Sequence, residues 1–269
     1  MLKKNNNLKK PLVMGIVNIT PDSFSDGGHF FSVDKALSHT EQLIKDGVDI
    51  IDVGAESTRP GSNSIELKEE ISRLEPFLKK YKQYFDNSLS IDTTKAMVAE
   101  LGLHYGADII NDISAMTNDP NMANIISREK CSVVLMHMQN KPKNMQENPS
   151  YSNVIKDIIS WLKQRIDFAK KNNIDSIIID PGIGFGKTDQ NNIEIIKGID
   201  QFIDLGYPCL VGTSNKSFLG NITGSKVNER LTETLAVNIK LLLQGVQIIR
   251  VHNVKEHVKA LKILSEVGA

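Results

Sequence analysis

Two cysteines, one tryptophan and an aromatic content of 6% in 269 residues leave little with which to build a stapled or aromatic-caged protein. Cys131 and Cys209 lie far apart, in or beside apolar strand-like runs, which excludes a disulfide framework and suits two buried thiols in a reducing compartment. There is no excess of charge of either sign: Lys+Arg is 32 and Asp+Glu is 32, so global charge gives no footing for nucleic acid. No apolar run approaches the roughly 20 residues that span a bilayer. The opening MLKKNNNLKK is basic but has no apolar core, so it does not read as a secretory signal. These absences predict a cytoplasmic globular protein that binds neither nucleic acid nor membrane. Residues 1–10 read as a flexible tail and residues 11–269 as one domain, a length close to the roughly 250 residues of a single α/β barrel.

What is present is a repeated figure. Leu12 to Val17 is continuously apolar, as in a strand buried on both faces, and then turns polar through Asn18, Thr20, Asp22, Ser23, Ser25 and Asp26 to Gly27 and Gly28. The same succession of apolar run, polar loop and helical stretch recurs. Strands are expected at 48–53, 88–92, 108–111, 131–136, 176–180, 208–211 and 246–251. Helices are expected at 33–45, 66–84, 95–105, 120–128, 151–171, 191–205, 228–243 and 256–267, with Pro76 kinking or breaking the second. The Pro- and Asn-rich segment 141–150 reads as a mobile loop, and 217–219 as a short turn. Eight β-then-α units without a linker imply parallel strands and right-handed crossovers, hence a closed (β/α)8 barrel of the TIM type rather than an open doubly wound sheet. Such barrels place their chemistry at the C-terminal strand ends. Those ends here are Asn18, the Gly54–Arg59 loop, Asp92, Asn111, Met136 with His137, Asp180, Lys216, and Arg250 with His252.

The stretch from Pro181 to Thr188 imitates a phosphate-binding loop, but Pro181 stands where its first glycine is required. Gly182, Gly184 and Gly186 do not match a dinucleotide fingerprint either. They read as a loop that lets backbone approach a flat ligand, with Phe185 covering one face.

Asn18 to Gly28 (NITPDSFSDGG) and Asp52 to Gly61 (DVGAESTRPG) resemble the two signature segments of the dihydropteroate synthase family. Ser90–Thr93, Asn111–Ile113, Leu135–Met138, Asp180–Gly186, Ser214–Gly220 and Arg250–His252 follow in that family's order, so the resemblance covers about residues 12–268. It implies a TIM barrel that condenses 6-hydroxymethyl-7,8-dihydropterin diphosphate with p-aminobenzoate, releasing diphosphate. It also implies a homodimer formed through outer-wall helices. Three tasks follow. For the pterin edge, the resemblance points to Asp180 as acceptor of paired N–H groups, with Asn111 and Asp92 beside it and Lys216 on the ring carbonyl. Ile113 and Met136 are candidate apolar walls; for Asp92 and Asp180 the alternative is a helix N-cap. For the diphosphate, the resemblance points to Asn18, Thr58, Arg250 and His252, with Mg2+ on the Asn18 side-chain oxygen. For aminobenzoate it points to Thr58, Arg59, Pro60, Phe185 and Ser217, with Asp26 closing over the site. His137 is assigned no role, and Met136–Met138 could equally be strand-end packing. Three residues depart from the family's habit: Val48, Ala55 and Asn215, the last replacing an arginine beside the lysine. A pterin-binding methyltransferase barrel would not need the Asn18–Gly28 loop, the Lys216–Ser217 pair or the Arg250/His252 end, all of which are present, and a non-catalytic scaffold would be marked by loss of the strand-end polar residues, none of which is lost.

Overall fold

Among the described residues every strand is a short run with a mostly apolar, buried body, and every one is paired in parallel with its neighbours. The computed structural model describes residues 10–20 and 29–268. The strands are β1 (Leu12–Asn18), β2 (Ile50–Gly54), β3 (Ser88–Asp92), β4 (Ile109–Asp112), β5 (Ser132–Met136), β6 (Ile177–Asp180), β7 (Leu210–Val211) and β8 (Ile248–Val251). Between and after them run α1 (His29–Lys45), α2 (Leu67–Tyr84), α3 (Ala96–His104), α4 (Met122–Glu129) and α5 (Val154–Lys171). The second half adds α6 (Asp189–Lys197), α7 (Asp200–Ile203), α8 (Ser217–Thr223), α9 (Leu231–Leu243) and α10 (Val254–Glu266). The ladder order is β6-β5-β4-β3-β2-β1-β8-β7, and a single bridge, Ile179 to Cys209, joins the two ends. The expected (β/α)8 barrel is therefore present, closed at one seam by one residue pair.

Period two along the strands explains what fills the barrel. Met14, Ile50, Ile109, Val134, Ile178, Leu210 and Ile248 form a separate buried cluster, an apolar plug. Two residues further along the same strands stand Ile16, Asp52, Asn111, Met136, Asp180, Gly212 and Arg250. The interior thus changes from hydrocarbon to charge within one layer, toward the C-terminal end. The larger apolar cluster, from Val13 to Leu261, lies between the outer strand faces and the helices.

Several expected boundaries shift, each for a local reason. Helix α2 runs unbroken through Pro76, whose neighbours Leu74, Phe77 and Leu78 are buried, so core packing outweighs the lost backbone bond. The expected helix at 191–205 is instead α6 and α7, separated at Gly198. A short 3-10 turn, Val227–Glu229, precedes α9, and the expected turn at 217 is the two-turn helix α8. The segment expected to be mobile is anchored. Met145 is fully buried, Gln139 and Ser150 exchange two hydrogen bonds at 2.9 and 3.0 Å, and the Pro142 carbonyl accepts the Gly61 N–H at 2.9 Å.

Candidate active site

Adjacent strands bring the first site residues side by side. Asn18 pairs in register with Gly54, Gly54 with Asp92, and Asp92 with Asn111, so four consecutive strands end on one rim. A Cβ on Gly54 would lie 3.2 Å from the Asp92 Cβ, a tight fit that larger residues would have to relieve by moving Asp92. Across the barrel Met136 pairs with Asp180.

The floor of the mouth is an ion network. Arg250 donates from Nε to Asp52 Oδ2 at 2.6 Å and from Nη2 to Asp92 Oδ2 at 2.8 Å. Asn111 Nδ2 reaches both Asp52 oxygens at 3.3 Å. Two of the five guanidinium donors are thus held by carboxylates, and Asp52, fully buried, ties β2, β4 and β8 together. The sequence reading quoted Asp52 in a motif but gave it no role. Its signal was its place two residues after the plug residue Ile50. Asp92 retains a buried Oδ1 without a partner among the described residues. Burial pushes its carboxyl up to about 7, against the pull of Arg250 and with the push of Asp52.

Asp180 is buried at the end of β6. Its Oδ1 accepts the Gly182 N–H at 2.7 Å, a local turn contact in place of a helix N-cap. Burial pushes it up to about 6, opposed by that bond and by the charges of Lys216, Lys187 and Arg250. Lys216 Nζ stands 4.0 Å from the centroid of the Phe185 ring. Burial and Arg250 pull its ammonium down to about 8, against Asp180 and Asp92.

The loop from Pro181 to Lys187 needs its glycines for a reason other than close approach to a ligand. Gly182 and Gly186 have φ of 69° and 62°. A Cβ on Gly182 would lie 1.9 Å from the His137 carbonyl, and one on Gly186 would lie 2.7 Å from that of Gln139. The loop is pressed on the exit of β5. His137 is packing, as its ring stands edge-on to Trp161 at 5.0 Å, and it accepts from Lys187.

His252 is half-buried, with Nδ1 2.9 Å from the Ser214 hydroxyl. Burial and the cations Arg250, Arg59 and Lys216 pull it down to about 4, so at neutral pH it is an uncharged donor or acceptor. Thr58 is half-buried, Arg59, Pro60 and Ser217 are exposed, and Ile113 and Met136 are buried. The segment leading into the Thr58–Pro60 loop is rooted on α2 and on the β3–α3 connection. Arg73 donates to the Ala55 carbonyl at 3.0 Å, and Lys95 pairs with both Glu56 and the buried Glu70. A cleft of about 1060 Å³ extends from Asp92 and Ile113 past Thr58 to Lys141–Asn144. Asp26 and residues 1–9 lie outside the described residues.

Among the described residues no group of three or more His, Cys, Asp or Glu side chains could hold a metal ion. The rim instead offers Asn18, a single neutral oxygen, which suits a hard cation carried mainly by a ligand's own phosphates. Also among the described residues, no helix is long and apolar enough to cross a membrane.

Known proteins resemble this chain along its length. The family model described as "pterin binding enzyme" matches residues 14–252. The dihydropteroate synthase of Clostridium beijerinckii is 42% identical over 258 residues, 95% of this chain and 93% of that one. That of Bacillus subtilis is 40% identical over 95% of this chain and 88% of its own. Among solved structures, the Yersinia pestis dihydropteroate synthase in a sulfonamide drug complex superposes with a TM-score of 0.91 at 38% identity, covering 97% of this chain and 95% of that one. The Xanthomonas albilineans enzyme in complex with 7,8-dihydropteroate does so with a TM-score of 0.88 at 34% identity, covering 97% and 95%. From its first strand to its last, this chain belongs to the pterin-binding enzyme family, among the dihydropteroate synthases.

Proposed function

We propose that this protein joins 6-hydroxymethyl-7,8-dihydropterin diphosphate to p-aminobenzoate, giving 7,8-dihydropteroate and diphosphate. The observation that carries the reading at the level of the site is Asp92. A buried carboxylate oxygen with no partner among the described residues, next to Asn111 and at the mouth of the barrel, is an acceptor for ligand N–H groups. The pterin edge supplies such donors, and charge-assisted bonds to them are about twice as strong as neutral ones. Asp180 offers its second oxygen to the same edge, and Lys216 donates to the ring carbonyl. Ile113 and Met136 wall the ring.

The C–O bond to diphosphate breaks with its electron pair leaving on the phosphate. The pterin methylene then carries positive charge delocalised into the ring, and the arylamine lone pair of aminobenzoate forms the C–N bond before losing a proton. Arg250 and the neutral imidazole of His252 stabilise the departing anion, as does the Thr58 hydroxyl. Preorganised donors of this kind are worth several kcal/mol at the barrier. Asn18 would hold Mg2+ through its amide oxygen, the ion when bound neutralising charge on the diphosphate. Aminobenzoate lies against Phe185, with Thr58, Arg59, Pro60 and Ser217 around it. The molecule works in the cytoplasm as a homodimer, for which the exposed apolar side chains Ile222, Val227 and Leu243 on the outer wall supply contact surface.

The test is diphosphate release coupled to product formation. Formation of 7,8-dihydropteroate must require both the pterin diphosphate and aminobenzoate, with one diphosphate released per product. No product with both present overturns the reading.

A further inference from the structure

Lys187 takes no part in the chemistry above, yet it is a lysine only 2% exposed at the back of the mouth. Its Nζ reaches the Phe185 carbonyl at 2.9 Å, His137 Nδ1 at 3.1 Å and the His137 carbonyl at 3.2 Å. All three ammonium protons therefore go to neutral acceptors, and the His137 proton must sit on Nε2. Burying an ammonium without a bonded carboxylate costs several kcal/mol, and a methionine of similar shape would cost none of it. The charge therefore has work to do on something nearby.

Two features of the surroundings say what. The first is mechanical. The Phe185 carbonyl that Lys187 holds belongs to the residue whose ring lies on Lys216. The loop is fixed on its other side by Tyr151, which donates to the Gly186 carbonyl at 2.6 Å, and by Gln146, which accepts the Lys187 N–H at 3.1 Å. The second is electrostatic. Lys187 is attracted by Asp180 and repelled by Lys216. Asp180 is faced by Lys187 from its own loop, by Lys216 beyond β7 and by Arg250 on β8. Just beyond β5 the neutral His137 donates its backbone N–H to the Asp180 carbonyl at 3.0 Å, and just before β7 the thiol of Cys209 feels the Asp180 charge. The other acids of the mouth, Asp52 and Asp92, are bonded to Arg250.

We propose that Lys187 is a positioning residue for the pterin site, holding Phe185 against Lys216 and adding its charge to that of Lys216 in keeping the Asp180 carboxylate ionised. This rests on the pterin reading of the site. Burial brings the Lys187 ammonium down to about 7, so its charge is present on the acid side of neutrality, where Asp180 with its value of about 6 needs it, and fades above.

The experiment measures binding of 6-hydroxymethylpterin, which lacks the diphosphate, by calorimetry at pH 6 and pH 8.5, for the parent, Lys187→Met and Lys187→Gln. Both variants remove the charge, and glutamine keeps a donor for the Phe185 carbonyl. Loss of this charge predicts about fivefold weaker binding at pH 6 and less than about twofold at pH 8.5. Glutamine should match methionine in this pH shift while keeping the lower KM for aminobenzoate. Should the methionine variant fail to fold, the glutamine variant alone carries the pH comparison. Parent-like pH dependence in the neutral variants, or equal weakening at both pH values, overturns the proposal. Product formation by the parent is measured first: its absence would sink the functional reading, whereas an active parent with unshifted variants sinks only the role of Lys187.

Discussion

Asp92 and Asp180 hold protons far more tightly than a solvated aspartate, with values of about 7 and about 6, because the barrel removes water before any ligand replaces it. A ligand that donates N–H groups favours the anionic form. Pterin affinity is therefore expected to rise with pH through 6 and 7, and binding near pH 6.5 should release protons. Calorimetry in buffers of different ionisation enthalpy reads that release directly, and a buffer-independent heat would contradict it. Asp180→Asn keeps the Gly182 contact by turning its amide oxygen to that N–H, which leaves the NH2 facing the pterin donors. Pterin binding should weaken by about 2–4 kcal/mol. Asp92→Asn has a second signature. A carboxyl whose folded-state value exceeds its unfolded one binds more protons when folded, so its contribution to stability is lost as pH rises through about 4 to 7. The asparagine variant removes that loss. Its Tm relative to the parent should climb between pH 5 and pH 8, while pterin binding falls. A Tm difference that shrinks over this range would mean the Arg250 pair outweighs burial.

At the level of elements, the strands and most helices were legible because each is a single hydrophobic pattern between turn residues. The β3 range, 88–92, coincides with the one read from the residues alone. What could not be read were places where packing overrides a local signal. Pro76 is one, its cost absorbed by the buried side chains around it. The 141–150 segment is another: its composition is that of a free loop, yet Met145 is buried and Gln146 bonds the glycine loop. The glycines of the β6–α6 connection were noticed, but their partner, the exit of β5, lies outside any sequence window. Gly182→Ala tests that partner. With φ at 69° and the His137 carbonyl 1.9 Å from the added carbon, the backbone must move. A stability loss of about 2 kcal/mol or more is expected, together with loss of pterin binding. A variant of parental stability would mean that the loop yields freely.

For the whole molecule, the ring of strand ends followed from barrel topology, so the gathering of Asn18, Asp92, Asn111, Asp180, Lys216 and Arg250 was foreseeable. The pairings within the ring were not. Arg250 and Asp52 are 198 residues apart, and nothing in either segment says that they bond. The closing pair of the sheet was equally hidden. β7 has two residues and meets β6 through one bridge, with the Cys209 N–H going sideways to the Gln247 side chain at 2.8 Å. Cys209 is fully buried, and burial raises its thiol, so alkylation requires this seam to part. Labelling of Cys209 should be faster in Gln247→Ala than in the parent and slower when pterin is bound. Unchanged rates would place the weakest point of the barrel elsewhere. Asp180 stands on one side of the seam and Lys216 on the other. In the proposed reading a pterin held by both would add a link across that gap beyond the few backbone bonds there, and a ligand bound only to the folded form stabilises it by mass action. The lifetime of the protein against proteases then becomes a function of its substrate supply: starved cells would clear the enzyme, and supplied cells would keep it.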